Sequence, residues 1–136
     1  MTLETTKTAI ARWHEMLKTR DMRILDELLA EDVVFRSPVA HQPYKGKAVV
    51  TFILTNVIQI FENFTYHREF YTEDMHNVVL EFSAIVSEKK LKGIDMLCFN
   101  DAGQITDFEV MIRPKSGLEA LAAQMGQRMM VLQSKG

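Results

Sequence analysis

Ile94-Asp95-Met96-Leu97-Cys98-Phe99-Asn100-Asp101-Ala102-Gly103-Gln104-Ile105 is the stretch on which the reading of the fold turns. Residues 94–99 have strand character, yet both alternating faces are apolar apart from Asp95. A strand of that composition is buried on both sides. Helices packed on one side of a sheet cover only one face, so the other face must meet another layer. The simplest such layer is a second copy of the chain. Asn100 to Gly103 has turn composition, and Ile105 to Arg113 then reads as the returning strand of a hairpin.

Upstream, the period of two persists. Val78, Leu80, Phe82, Ala84 and Val86 alternate with a more polar face, and Phe64, Tyr66, Arg68 and Phe70 alternate with Thr65, His67, Glu69 and Tyr71. The spacing predicts an antiparallel meander. Before Asn63 the period changes. Residues 47–61 are rich in Val and Ile, but Lys47, Thr51, Thr55 and Gln59 recur every four residues, which predicts a largely buried helix with one solvated stripe. Residues 38–46, with Pro38, Pro43 and Gly46, read as a loop. Val33-Val34-Phe35 reads as a short strand stopped at Ser37-Pro38.

At the N-terminus, Ile10, Trp13 and Leu17 share one face of a helix over 3–19, with Thr2 as its cap. Asp21 caps a shorter helix carrying Met22, Leu25, Leu28 and Leu29. At the other end, Ser116-Gly117-Leu118-Glu119 has the form of a capping box. It opens a last helix with Leu118, Leu121, Ala122, Met125, Met129 and Leu132 on one face.

The chain has 136 residues, a length suited to one domain spanning 1–136. Hydrophobic residues make up 47% of it, which is enough for a core without a metal or disulfide staple. A net charge of −2 gives no basic signature for nucleic acid. The single cysteine, Cys98, rules out an internal disulfide. Neither a secretion signal nor an apolar run long enough to span a bilayer is read, so a soluble cytoplasmic protein is expected. Nine methionines suit adaptable core filling or a pliable pocket or interface. Glycine-rich nucleotide motifs, serine-hydrolase motifs and metal-ligand spacings do not occur, so no cofactor is expected.

Trp13, Asp21, the run Leu28-Leu29-Ala30-Glu31-Asp32-Val33-Val34-Phe35-Arg36-Ser37-Pro38 and Gly46 follow one another in an order that resembles the opening of NTF2-like proteins. The hairpin that begins at Ile94 resembles those of ketosteroid isomerase and of SnoaL-like polyketide cyclases. The resemblance implies an α+β, cystatin-like cone. In it, a curved antiparallel sheet packs on N-terminal helices, a C-terminal helix is added, and a pocket lies between helices and sheet. It also implies a homodimer packed through the sheet. Of the three ketosteroid isomerase groups, the hairpin acid matches Asp95, the general-base position holds Ser37, and the tyrosine position holds Trp13. In SnoaL-like cyclases an acid resembling Asp95 removes an activated C–H proton.

Asp95 also stands out on physical grounds. An acid inside an apolar strand must be paired or protonated, and desolvation raises its pKa toward the range of a general acid or base. The competing reading is an acid hydrogen-bonded for structure alone. His41, in the loop beside the expected pocket mouth, is a second candidate for proton exchange, against a plain loop histidine. His14 follows Trp13 by one residue, about 100° around a helix, and reads as a core-edge residue. Trp13, Phe35, Ser37, Leu97, Phe108, Val110 and Ile112 are expected around one pocket, with the Trp13 N–H or His41 as the nearest polar group to Asp95. Two functions stay open. One is an isomerase, cyclase or lyase acting on an apolar cyclic or carbonyl compound. The other is a non-catalytic dimer that binds an apolar small molecule or docks to a protein.

Overall fold

A computed structural model describes residues 2–135, with side chains through Met130. The first helix, α1 (Leu3–Thr19), is capped by Thr2, whose Oγ1 accepts from the Thr5 N–H at 3.1 Å. It ends on Arg20 in the left-handed conformation (φ 62°), whose N–H bonds the Met16 carbonyl at 2.8 Å. Asp21 turns the chain into α2 (Met22–Leu28) by accepting from the Arg23 N–H at 3.0 Å. Leu29, expected on this helix, is extended instead and opens β1 (Leu29–Arg36), a longer strand than the sequence indicated. Leu29, Val33 and Phe35 all enter the core, and the strand's register against β6 shifts between Leu29 and Val34.

After β2 (Tyr44–Lys45), α3 (Lys47–Ile60) forms despite its β-branched content. Val50, Ile53, Leu54, Ile58 and Ile60 are buried, whereas Val49 and Phe52 are exposed, so the helix is buried along one side rather than almost all round. The strands β3 (Glu62–Tyr71), β4 (Asn77–Val86), β5 (Lys89–Phe99) and β6 (Ile105–Arg113) follow as a meander. The last helix is α4 (Lys115–Lys135). Its first bond runs from the Leu118 N–H to the Pro114 carbonyl at 3.1 Å, so Ser116 lies inside the first turn and the capping box does not form. Leu121 is buried, Leu118, Met125 and Met129 are half-buried, and Ala122 is exposed. The side chain of Leu132 lies outside the described residues.

The six strands make one sheet in the order β2-β1-β6-β5-β4-β3. It is mixed, because β1 runs parallel to β6 while the other pairs are antiparallel. Its inner face packs on the three N-terminal helices through Trp13, Met16, Leu25, Phe35, Leu54 and Phe108. A smaller cluster around Phe82, Leu91 and Leu121 fills the end under α4.

Strand β3 breaks the expected alternation. Its register slips once between Glu62 and Thr65 and again between Tyr66 and Glu69. Each slip places one extra residue opposite β4, the signature of a β-bulge. Tyr66 pairs with Phe82 and Glu69 with Leu80, so Tyr66, Glu69 and Tyr71 share the inner side while Arg68 and Phe70 turn out.

On the outer face of β5, Ile94 is half-buried beside its β6 partner Met111, which is 47% exposed, and Met96 is 38% exposed. Within one chain this apolar row is left uncovered. Glu81 lies against it, 2.5 Å from Arg68 and 3.2 Å from Lys92. Those cations hold its carboxyl down to about 2, the Arg68 hydrogen bond most strongly. No helix among the described residues is long and apolar enough to cross a membrane.

Candidate functional site

Between α1, α3 and the inner sheet face lies a cavity of about 370 Å³. Its walls are apolar: Phe35 from β1, Leu54 and Ile58 from α3, and Phe108 and Val110 from β6. The aromatic rings brace one another, with Trp13 at 5.3 Å and Phe35 at 5.6 Å from Phe108 between ring centres. Such edge-tilted contacts add about 0.5–1.5 kcal/mol per pair beyond area burial. Exposed Lys18, Arg20 and Asn63 mark the mouth.

Asp95 projects from β5 into this setting and is only 5% exposed. Its nearest polar partner is Tyr66, whose hydroxyl donates to Asp95 Oδ2 at 2.6 Å. Trp13 Nε1–H in turn donates to the Tyr66 oxygen at 2.8 Å. The order of this relay has a fixed direction. An indole N–H can only donate, so it occupies the Tyr66 oxygen and directs the Tyr66 proton to Asp95. Oδ2 therefore accepts whether the carboxyl is ionised or not, and a proton bound by Asp95 sits on Oδ1. Among the described residues Oδ1 has no hydrogen-bond partner, so it is the oxygen left for an occupant of the cavity.

Electrostatics set the strength of this acid. Burial pushes the Asp95 carboxyl up to about 7, while the Tyr66 hydrogen bond pulls it back. Burial, then the Asp95 charge, pushes the Tyr66 hydroxyl well above 10. Tyr66 thus remains a neutral donor, and Asp95 exchanges its proton near neutrality.

Of the residues expected here, Trp13, Phe35, Asp95, Phe108 and Val110 line the cavity. His41 does not: it is exposed on the loop after β1 and outside the lining, which that loop enters only at Pro38. Ser37 is also outside the lining, and its Oγ accepts from the Val39 N–H at 3.1 Å to brace the loop; Pro38 takes the wall position. Leu97 shares the inner face with Asp95 but is packed into the core at 1% exposure. Ile112 lies further along β6, against the cluster under α4. The Trp13 N–H reaches Asp95 only through Tyr66.

Sequence reasoning missed Tyr66 and His14. Tyr66 sat on the apolar face of its strand, but nothing local marked it as the partner of an acid on a strand two places away. His14, read as a core-edge residue, is half-buried and lines the cavity. Its ring stands edge-on to Tyr66 at 5.1 Å, and its Nε2 is 3.5 Å from Glu69 Oε1. Glu69 also accepts from the Tyr71 hydroxyl at 2.6 Å. Among the described residues no three His, Cys, Asp or Glu side chains converge as a metal-ligand set.

Comparison with known proteins gives a consistent picture. The family profile described as "SnoaL-like domain" matches residues 10–108. No curated protein matches the chain. Among solved structures, a steroid delta-isomerase from Pseudomonas aeruginosa is 50% identical, with a TM-score of 0.91 and coverage of 96% of this chain and 95% of that one. An uncharacterised cystatin-like-fold protein from Silicibacter pomeroyi is 35% identical, with a TM-score of 0.83 and coverage of 90% and 85%. An NTF2-like protein from Mesorhizobium loti, at 15% identity and a TM-score of 0.71 over 82% and 93%, shares the fold alone. A profile matching most of the chain, around a cavity built between cone and helices, places the protein: it belongs to the SnoaL-like family of NTF2-like proteins.

Proposed function

We propose that this protein is an isomerase-type enzyme that moves a proton on a small apolar cyclic ketone, with Asp95 as the acid/base group. The observation that carries the reading is the Asp95 carboxyl itself. It lies in an apolar cavity, its Oδ2 accepts from Tyr66, and its Oδ1 is left for a substrate. Burial that brings the carboxyl to about 7 matches the needs of a group that both gives and takes a proton near neutral pH. The cavity suits a compact ring compound, at the low end of the range for small-molecule sites. The similar Pseudomonas aeruginosa structure, a steroid delta-isomerase, supports a ring substrate.

The chemistry asked of the chain is modest. A proton on carbon next to a carbonyl leaves as the electron pair moves toward oxygen, then a proton returns to the same or a conjugated carbon. Low-dielectric walls strengthen each electrostatic contact made with the charge that develops. Trp13 and Tyr66 hold Asp95 in one orientation through both protonation states.

The assay is hydrogen–deuterium exchange of a panel of cyclic ketones in D2O, followed by proton NMR. Wild type should accelerate exchange next to the carbonyl, and Asp95→Asn should slow it by about 10²-fold or more while binding persists. Binding without exchange by any ketone would leave a non-catalytic pocket protein instead. The uncovered row of Ile94, Met96 and Met111 supports a second reading, about assembly: a homodimer through the outer sheet face.

A further inference from the structure

The proposed chemistry needs two groups, one to take a proton from carbon and one to satisfy the carbonyl oxygen. Asp95 with its proton on Oδ1 serves the second need. The general-base position suggested by resemblance holds Ser37, which lies outside the cavity lining. Apart from Asp95, the ionisable side chains that line the cavity are His14, Lys18, Arg20 and Tyr66. Arg20 is committed to the Ile58 carbonyl at 2.8 Å, and Tyr66 to Asp95.

We propose that His14, held by Glu69, is the second catalytic group of this cavity and acts as the base toward a substrate whose carbonyl oxygen is bound by Asp95. Three geometric facts carry this. His14 lines the same cavity as Asp95. Tyr66 touches both, presenting its ring to the imidazole at 5.1 Å and its hydroxyl to the carboxyl at 2.6 Å. Behind the imidazole stands a carboxylate with its own support: Glu69 Oε1 is 3.5 Å from His14 Nε2, and Glu69 Oε2 accepts from Tyr71 at 2.6 Å. A carboxylate beside one ring nitrogen keeps the proton there and leaves the lone pair on the other. Glu69 thus selects the tautomer with Nε2–H, and Nδ1 becomes the accepting atom. Separations of this kind tighten when a substrate is bound.

The inference rests on the proposed proton transfer and assigns its two roles. Nδ1 of His14 takes a proton from the carbon next to the carbonyl. The C–H pair becomes the new C=C bond, the carbonyl π pair moves to oxygen, and oxygen takes the proton from Asp95 Oδ1. The return step gives the enol proton back to Asp95 and the imidazolium proton to carbon. No oxidant or further reactant enters. The substrate class narrows to a ketone that spans the distance between the mouth side of α1 and the inner strand β5, with its oxygen inward. Glu69 and Tyr71 are positioning residues.

Two measurements test the assignment. The first uses the free protein: ¹⁵N NMR of the His14 ring should show the Nε2–H tautomer, and Glu69→Ala should shift the population toward Nδ1–H. A wild-type ring already in the Nδ1–H form, or one unmoved by Glu69→Ala, overturns the proposal whatever the protein does to ketones. The second uses the ketone that wild type exchanges fastest. His14→Gln should lower kcat for exchange by about 10²-fold with little change in KM, Glu69→Ala should lower it less, and Glu69→Asp should recover part of the loss. If Asp95→Asn abolishes exchange while His14→Gln leaves it intact, the role of His14 is wrong and the wider reading stands. If no ketone exchanges, the wider reading fails, and the catalytic role of His14 falls with it. His14 and Glu69 are both partly exposed, so these variants keep the core intact; circular dichroism checks that they do.

Discussion

Tyr66 and Asp95 meet across β4: the hydroxyl from β3 reaches the carboxyl from β5 at 2.6 Å, over the top of a strand that belongs to neither. The contact is possible because Tyr66 pairs with Phe82, Asp95 pairs with Leu80, and the two sit diagonally on one face. Tyr66→Phe keeps the ring and removes the hydroxyl. It also leaves the Trp13 N–H without its acceptor. The expected cost is about 1–3 kcal/mol in urea unfolding, together with a rise of the Asp95 pKa above its wild-type value of about 7. A ¹³C NMR titration that finds the carboxyl lowered would contradict this.

Asp95 also makes stability depend on pH. Its folded pKa of about 7 exceeds the ordinary value of 3.8, so between those values the folded state binds more protons than the unfolded state. Stability from this group is therefore greatest below about pH 4 and is lost as pH rises through 7. The whole span is about 4 kcal/mol. Asp95→Asn should be more stable relative to wild type at pH 8 than at pH 5, as read from urea midpoints at the two values. A variant difference that is the same at both pH values would mean that the carboxyl is not desolvated.

Gly93 of β5 pairs directly with Phe82 of β4. A methyl added there would lie 2.6 Å from the Phe82 ring and 2.5 Å from the Met111 carbonyl oxygen. Neither can retreat easily, because Phe82 is fully buried and Met111 is backbone in the same sheet. Gly93→Ala should cost about 1–3 kcal/mol and lower the melting temperature. An unchanged melting temperature would show that the sheet relaxes more freely than its packing suggests.

The outer sheet face makes its own prediction. Sedimentation equilibrium at micromolar concentration should return twice the chain mass. Met96→Lys places a charge next to the Ile94–Met111 pair on this face and should weaken association without altering the circular dichroism spectrum. A wild-type monomer at those concentrations would remove the case for this interface.

Much of this protein was readable along the chain. The every-fourth polar residues of 47–59 identified α3 against its strand propensity, since helical spacing is a property of neighbouring residues alone. The lone acid in an apolar strand identified Asp95, and alternation put Phe108 and Val110 on its side of the sheet. The limits have equally specific causes. Two bulges in β3 each insert a residue, and each flips the facing of the residues after it, so Glu69 and Tyr71 reach the inner side against the simple count. A capping box was legible at Ser116, but the Pro114 carbonyl started the helix first.

The order of elements and the presence of a buried acid are legible in the chain read alone. They arise from periodicity, turn chemistry and the cost of desolvating a charge, all of which act locally or on composition. The surroundings of that acid are set by tertiary structure. Trp13, His14, Tyr66, Glu69 and Asp95 come from α1, β3 and β5, and only the pairing register and the seat of α1 on the sheet bring them together. The proton-exchange range of Asp95 is likewise a tertiary property, because desolvation is summed over every element that excludes water from the carboxyl.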